Sequence, residues 1–208
     1  MLVLRKYSND RKSYIEVHTD GHIENPLQDW DWLGHVALSG KYAGYGTKDS
    51  ENIDVATFEG YARIRIEGIK GGVRVPVYAY DHSGISFSTG GYNDPWDSGQ
   101  AGWAWVDAET VRNEFHGDKE KAREHLLGMV RTLDAYAQGE CYGYEVYDAV
   151  SGECIDSCWG FFHTYDSRAE FLAELADTAG FAELADARFG EIEDIEEIEE
   201  IDDIENIA

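Results

Sequence analysis

The sequence predicts an α+β fold with a mostly antiparallel sheet, two or three packing helices and an acidic C-terminal arm. Short segments of the first half alternate apolar with polar residues, which is the period of a half-buried strand. The second half changes to apolar residues three and four positions apart, the spacing of an amphipathic helix. The last eighteen residues fit neither period and carry ten carboxylates. We therefore expect a single domain over residues 1–190 and an arm over residues 191–208.

The strands expected in the first half are short and bounded by turn residues. Residues 14–18 (YIEVH) and 61–67 (YARIRIE) alternate clearly, and 73–80 (VRVPVYAY) follows a Gly-Gly pair. The last two are expected to form a hairpin across that pair. Pro76 indicates a sheet edge or a bulge, because proline cannot donate to the ladder. Further strands are expected at 84–88 and 102–106, with loops at 40–54 and 89–100.

Helix signals dominate the second half. Asp118 can cap a helix that ends at Gln138, and Gly139 stands just past its end. Its apolar face is expected to consist of Ala122, Leu126, Met129, Leu133 and Tyr136. Ser167 and Glu170 have the spacing of a capping box and predict a second helix, with an apolar face at Phe171, Leu172, Leu175 and Ala179.

Two further segments complete the predicted domain. Residues 140–150 and 153–158 are expected to pair as strands that turn at Ser151 and Gly152. A short helical piece at 181–188 precedes Gly190, where the domain boundary is placed.

The arm reads EIEDIEEIEEIDDIENIA, with isoleucine at every third position. On an α-helix a step of three falls about 60° short of a full turn, so these isoleucines would spiral around the axis. We expect the arm to be disordered, or to become helical on binding. Two interpretations are open, an element that docks on a basic surface and a tail that only adds solubility. The carboxylates expected to contact a partner are Glu193, Asp194, Glu196, Glu197, Glu199, Glu200, Asp202 and Asp203.

The charge density of the arm is of the order of that of nucleic acid. Eighteen helical residues would span about 27 Å, over which duplex DNA carries about 16 charges. The ten carboxylates of the arm approach two-thirds of that density. The arm could therefore mimic nucleic acid.

Charge also narrows the class of partner. The chain has 42 acidic and 17 basic residues, a formal net charge of −25. Residues 1–190 alone contain 32 acidic and 17 basic residues. Such a field repels nucleic acid and anionic membranes and attracts Lys/Arg-rich proteins. The expected partner is a basic nucleic-acid-binding protein complex, with no direct nucleic-acid or membrane binding. Adaptation to a high-salt cytoplasm is an alternative explanation of the acidity.

Cysteine usage indicates a reducing compartment. The chain has three cysteines, and the opening MLVLRKYSND has too short an apolar run for a secretory signal. We expect a cytoplasmic protein of the host cell. Cys154 and Cys158, with Cys141, could be zinc ligands, but we favour buried free thiols. The histidines at 18, 22, 116 and 125 belong to no motif and are expected to be surface or core residues.

Four segments are dense in Trp, Asp and Gly. They read DWDWLGH (29–35), YAYDHSGI (78–85), NDPWDSGQAGWAWV (93–106) and DSCWGFF (156–162). The weak candidates for a metal or acid–base site are Asp81, His82, Asp94 and Asp97, because carboxylate oxygens suit Mg²⁺, Mn²⁺ or Ca²⁺. The same aspartates fit Asx turns and the tryptophans fit a core. We favour this structural interpretation and expect no cofactor, and a metal-dependent enzyme or metal-binding module is the alternative.

The strings Y-x-Y-D-H-S-G-I, P-W-D-S-G-Q-x-G and D-S-C-W-G-F resemble an uncharacterised family carried by phages and other bacterial mobile elements. The resemblance covers residues 29–162 and leaves out the N-terminal strands and the arm. It implies no established activity and no catalytic residues. It implies that the chain is an accessory protein of a mobile element, a class of protein that commonly interacts with host defence systems. The expected function is therefore binding, with the acidic surface and arm occupying a CRISPR or restriction effector.

Overall fold

The computed structural model describes most of the chain up to residue 164. The described residues are 1–8, 12–50, 60, 62–65, 70–164, 167, 170, 171, 174, 175, 178 and 179. They cluster in two compact units. The first comprises residues 1–19, 142–161 and the described residues beyond 164, and the second comprises residues 20–141 and 162–164. Each unit contains strands of its own sheet, and the predicted α+β class with mostly antiparallel sheets is confirmed.

The regular elements of the described residues are as follows. The strands are β1 (Leu2–Tyr7), β2 (Ser13–Thr19), β3 (His35–Leu38), β4 (Val73–Asp81), β5 (Ile85–Ser88), β6 (Ser98–Val106), β7 (Cys141–Asp148) and β8 (Cys154–Phe162). The helices are α1 (Pro26–Asp29), α2 (Ala108–Asn113) and α3 (Lys119–Gln138), with 3₁₀ turns at Gly40–Tyr45 and Lys48–Ser50. Residues 60 and 62–65 are also helical.

The sheet of the first unit has the strand order β1-β2-β7-β8. β2 pairs antiparallel with both β1 and β7, and its register with β7 runs from Ser13 opposite Asp148 to Thr19 opposite Tyr142. One face of the sheet is apolar, because alternate residues of a strand point to the same side. The buried cluster on this face comprises Val3, Leu4, Ile15, Val17, Tyr142, Tyr144, Val146, Phe171 and Leu175. The opposite face carries polar side chains of β2 and β7.

The sheet of the second unit has the strand order β3-β6-β4-β5, and every pair in it is antiparallel. Helix α3 packs on one face, where Leu126, Met129 and Leu133 meet Val75 and Val77 in one buried cluster. Asp118 accepts hydrogen bonds from the backbone N–H groups of residues 120 and 121 and thereby caps the helix. Gly139 ends it with a left-handed φ of 72°. The predicted helix and both caps are confirmed.

The predicted strand at 61–67 is wrong, because residues 62–65 are helical. Four residues that alternate apolar and basic fit either structure: Ile64 is buried and Arg63 and Arg65 are exposed, a pattern that a strand would show as well. The predicted hairpin with 73–80 is wrong for the same reason. β4 pairs with β5 and β6 instead. Apolar residues of β4 and β6 form one buried cluster with α3.

Pro76 occupies the position that its chemistry allows. It lies in the part of β4 that β5 does not pair, next to the register shift between Val77 and Tyr78. The expectation of a sheet edge or a bulge is confirmed. The expected strand at 102–106 is longer than predicted, because β6 already begins at Ser98. The described part of the expected long loop, residues 40–50, contains two 3₁₀ turns and buries Thr47 and Ser50, and residues 51–54 lie outside the described part.

The remaining predictions divide between confirmed elements and residues that lie outside the described part. The strand pair that turns at Ser151 and Gly152 is confirmed as β7 and β8. In the helix predicted after Ser167, the described residues 170, 171, 174, 175 and 178 are helical and Ala179 lies in a turn, and Phe171 and Leu175 are buried as expected. Leu172, the piece at 181–188, the boundary at Gly190 and the arm lie outside the described residues. The single domain over residues 1–190 stays a prediction.

Candidate functional site

The predicted Asp/His residues lie in the second unit, where β4 ends and β6 begins. Asp81 forms an ion pair with Lys41 and accepts a hydrogen bond from the Tyr42 hydroxyl at 3.3 Å. The Lys41 ammonium holds the pKa of the Asp81 carboxyl below its ordinary value. His82 Nδ1 lies 2.7 Å from Asp97 Oδ2, and both side chains are well exposed. Both pairs, Lys41–Asp81 and His82–Asp97, therefore have the geometry of salt bridges at the surface.

Asp94 builds a turn. Its Oδ1 accepts hydrogen bonds from the backbone N–H groups of Trp96 at 2.9 Å and Asp97 at 3.2 Å. These two donors lower the pKa of the Asp94 carboxyl. This is the Asx turn that the structural interpretation expects. Among the described residues, the four predicted candidates supply no set of three ligand atoms within 4.8 Å of one another.

The cysteines divide into one buried and two exposed thiols. Cys141 is buried as predicted, but Cys154 and Cys158 are exposed, so the expectation of buried thiols is wrong for these two. The four-residue spacing predicted that Cys154 and Cys158 lie on the same, buried side of a strand. However, β8 is an edge strand, and its first six residues are all exposed. No disulfide joins these three described cysteines, and no group of potential metal ligands found among the described residues includes a cysteine.

Several basic side chains form contacts with other side chains of the same chain. The Nε of Arg5 donates to Glu16 Oε1 at 2.6 Å, and Lys41 pairs with Asp81. The guanidinium of Arg74 lies 4.5 Å from the centre of the Trp103 ring, a cation–π contact. Positive charge held in this way is partly neutralised or covered. The excess of carboxylates therefore dominates the field around the molecule.

Three further bases face a cavity of about 560 Å³ in the second unit. The cavity lies at the start of β3, the end of β6 and the beginning of α2. Its charged lining comprises the bases Arg63, Lys70 and Arg112, the acids Asp49, Asp107 and Glu109, and His35. Three acids offset the three bases in formal charge, and the side chains of the three bases are exposed.

The acids of the cavity are engaged with neighbours. Asp49 Oδ2 lies 2.5 Å from Nδ1 of His35, whose ring stacks on Trp105 at 5.1 Å. Asp107 caps α2 by accepting from the backbone N–H groups of Glu109 and Thr110, both at 2.8 Å. Burial raises the pKa of the Asp107 carboxyl, but these hydrogen bonds outweigh it and the pKa lies below its ordinary value. The carboxylate of Asp49 orients the imidazole of His35.

Sequence reasoning missed one polar group entirely. Glu16, His18 and Glu145 place one ligand atom each within 4.8 Å of one another on the sheet of the first unit. Only the register between β2 and β7 brings residues 16 and 145 together. No local motif could have indicated it.

The predicted partner-binding carboxylates, residues 193–203 of the arm, lie outside the described residues. No helix in the described part of the chain has the length and apolar character needed to cross a membrane. No family model, curated protein or solved structure matches the chain.

Proposed function

We propose that the protein acts by binding, and that its acidic surface and arm occupy a basic, nucleic-acid-binding protein complex of a host cell. The observation that carries the proposal is the charge, 42 acids against 17 bases. The structure adds support, because Arg5 and Lys41 form internal ion pairs and three other bases face a cavity with three acids. These contacts account for five of the 17 bases, and the 42 acids outnumber all 17.

The physical basis of such binding is electrostatic substitution. A channel built for a nucleic-acid backbone presents Lys and Arg side chains at phosphate spacing, and carboxylates can take the place of the phosphates. Long-range attraction also raises the association rate. Both effects are screened by salt, so the affinity should fall steeply with ionic strength.

The class of complex follows from the resemblance of the Trp/Asp/Gly strings to a phage and mobile-element family. An accessory protein in that setting would benefit from blocking a CRISPR or restriction effector. Counter-defence is therefore the role that we propose, with no catalytic step required.

The proposal is tested by competition with nucleic acid. The full chain is added to purified CRISPR and restriction complexes that hold a labelled duplex, and release of the duplex is followed by gel shift at low and at physiological salt. We expect release at low salt that weakens as salt is raised. The proposal is abandoned if the chain releases nucleic acid from none of the complexes at low salt.

A matched pair of full-length variants assigns the binding surface. In one, the eight arm carboxylates Glu193, Asp194, Glu196, Glu197, Glu199, Glu200, Asp202 and Asp203 become Gln or Asn. In the other, eight exposed carboxylates before the arm are changed in the same way: Glu24, Asp31, Glu109, Glu114, Glu120, Glu124, Glu153 and Glu170. The arm variant should lose more competition than its control. If both variants lose the same amount of competition, the total charge of the chain matters and the arm has no specific role.

A further inference from the structure

The polar face of the first unit's sheet brings three potential metal ligands together. Ile15 and Val17 of β2 are buried in the apolar cluster, so Glu16 and His18 point to the opposite side. Glu145 of β7 points to that side for the same reason, because its neighbours in the strand are buried. Glu16 and Glu145 are direct partners in the antiparallel register.

The two distances from the His18 ring to the carboxylates are close to those between the ligands of a small metal ion. Nε2 of His18 lies 3.0 Å from Oε2 of Glu16 and 3.4 Å from Oε2 of Glu145. Zinc bonds to imidazole nitrogen and carboxylate oxygen are about 2.0–2.2 Å long, which places neighbouring ligands of a tetrahedral ion about 3.3–3.6 Å apart. The His18–Glu145 distance of 3.4 Å falls in that range, and the His18–Glu16 distance of 3.0 Å lies slightly below it.

Neighbouring side chains hold the two carboxylates in orientation. Arg5 Nε donates to Oε1 of Glu16 at 2.6 Å and leaves Oε2 directed at His18. The Tyr147 hydroxyl donates to Oε2 of Glu145 at 2.9 Å. Partners of this kind fix ligand geometry in known metal sites.

The charge balance of the cluster also favours a cation. Two carboxylates directly opposite each other on adjacent strands repel, and the repulsion is stronger because the Glu16 side chain is only 11% exposed. Arg5 neutralises one of the two charges. A divalent ion between Oε2 of Glu16, Oε2 of Glu145 and Nε2 of His18 would more than offset the one negative charge that remains.

We propose that Glu16, His18 and Glu145 form a binding site for a divalent transition-metal ion of the Zn²⁺ class. One imidazole nitrogen and two carboxylate oxygens suit Zn²⁺ better than Mg²⁺ or Ca²⁺, which prefer oxygen ligands throughout. Three protein ligands leave a fourth position for water or a ligand from outside. Trp159 stands beside this site, with its ring 6.1 Å from the His18 ring.

The indole of Trp159 reaches this position because residue 143 has no side chain. A Cβ on Gly143 would lie 2.1 Å from Cε3 of the indole, and Gly143 is the β7 partner of His18 in the register. The glycine thus admits the ring that flanks one side of the site. This arrangement is independent of the arm and of the partner proposed above.

The test is a calorimetric titration with Zn²⁺ in excess Mg²⁺, which occupies weak acidic sites. The full chain is first freed of metal, and all chains carry Cys154→Ser and Cys158→Ser so that exposed thiols add no site. We expect one strong equivalent of Zn²⁺ in this parent. His18→Gln and Glu145→Gln should each weaken it by at least about tenfold. His82→Gln, which removes the histidine of an exposed His–Asp pair, should leave it unchanged.

The outcomes are decisive. Absence of a strong equivalent in the parent overturns the proposal, and so does Zn²⁺ binding that His18→Gln leaves intact. If His18→Gln fails to fold by circular dichroism, Glu145→Gln decides alone, because its amide oxygen can still accept from Tyr147. Weak binding of many ions, equal in all variants, would show only the general acidity of the surface and would also overturn the site.

Discussion

Asp134 illustrates how a single carboxyl can be held in an environment that opposes its charge. Its Oδ1 accepts the backbone N–H of Phe87 at 2.7 Å, which ties α3 to β5. Burial raises the pKa of the Asp134 carboxyl, and this effect outweighs the hydrogen bonds that lower it. Because the folded pKa lies above the unfolded value, this group favours the folded state at acid pH. The contribution is lost as the pH rises through the raised folded pKa.

Replacing Asp134 by Asn should therefore stabilise the protein near neutral pH. The amide oxygen can still accept from Phe87, and the cost of a buried charge is removed. The gain in melting temperature should shrink as the pH falls toward 3.8, the ordinary pKa of the carboxyl. Melting curves across the pH range check this, with the exposed Asp31→Asn as a control for the loss of one charge. A variant less stable at every pH would contradict the interpretation.

At the scale of elements, α3 is the helix whose ends are best defined. The Asp118 carboxylate accepts from the backbone N–H groups of residues 120 and 121 at 3.0 and 3.1 Å. An aspartate at this position also interacts favourably with the positive end of the helix dipole. The helix carries the central residues of the second unit's core, so its first turn matters for the whole unit.

Asp118→Ala should lower the free energy of unfolding by about 1 kcal/mol. Both backbone donors then lose their side-chain acceptor. Asp118→Asn keeps an acceptor oxygen and should lose less than half as much. Urea denaturation of the two variants measures the difference, and equal losses would indicate that the dipole interaction dominates over the cap.

Local signals explain which elements could be predicted. Asp118 and Gly139 mark the ends of α3 within the sequence itself, and Ser151-Gly152 marks a hairpin between neighbouring strands. The strand predicted at 61–67 failed because four alternating residues fit a helix as well as a strand. The position of β8 at a sheet edge depends on distant pairing, which is why the exposure of Cys154 could not be predicted.

The candidate sites divide in the same way. The turn role of Asp94 is local, since Pro95 and Ser98 stand beside it, and the structural interpretation anticipated it. The cluster of Glu16, His18 and Glu145 depends on the pairing of strands far apart in the chain. The close approach of two strand backbones could not be predicted from the sequence either. A Cβ on Gly102 would lie 2.0 Å from the carbonyl oxygen of Ala37 on the neighbouring strand.

For the whole molecule, the dominant property is its net charge of −25. Like charges repel more strongly in the compact folded state than in the extended chain, and salt screens the repulsion. Both units nevertheless have buried apolar clusters, whose burial opposes this repulsion. The two hypotheses, a fold that forms in dilute buffer and one adapted to a high-salt cytoplasm, predict a different dependence of stability on salt.

We expect cooperative unfolding at about 10 mM salt and a rising melting temperature up to about 150 mM, as the Debye length falls from about 30 to about 8 Å. Neutralising the eight arm carboxylates changes the net charge from −25 to −17 and should reduce this rise. Calorimetry of both chains provides the measurement. A requirement for molar KCl would instead support salt adaptation.

The strand order of the first unit has a consequence for synthesis on the ribosome. β2 pairs with β7, and the partners Thr19 and Tyr142 are 123 positions apart, 142 minus 19. At 5–20 residues per second, about 6–25 s pass between them. During that time the β1–β2 hairpin has one edge without its strand partner, whereas all four strands of the second unit's sheet are made in the interval. Translation speed and early chaperone contact should therefore influence the yield of folded protein.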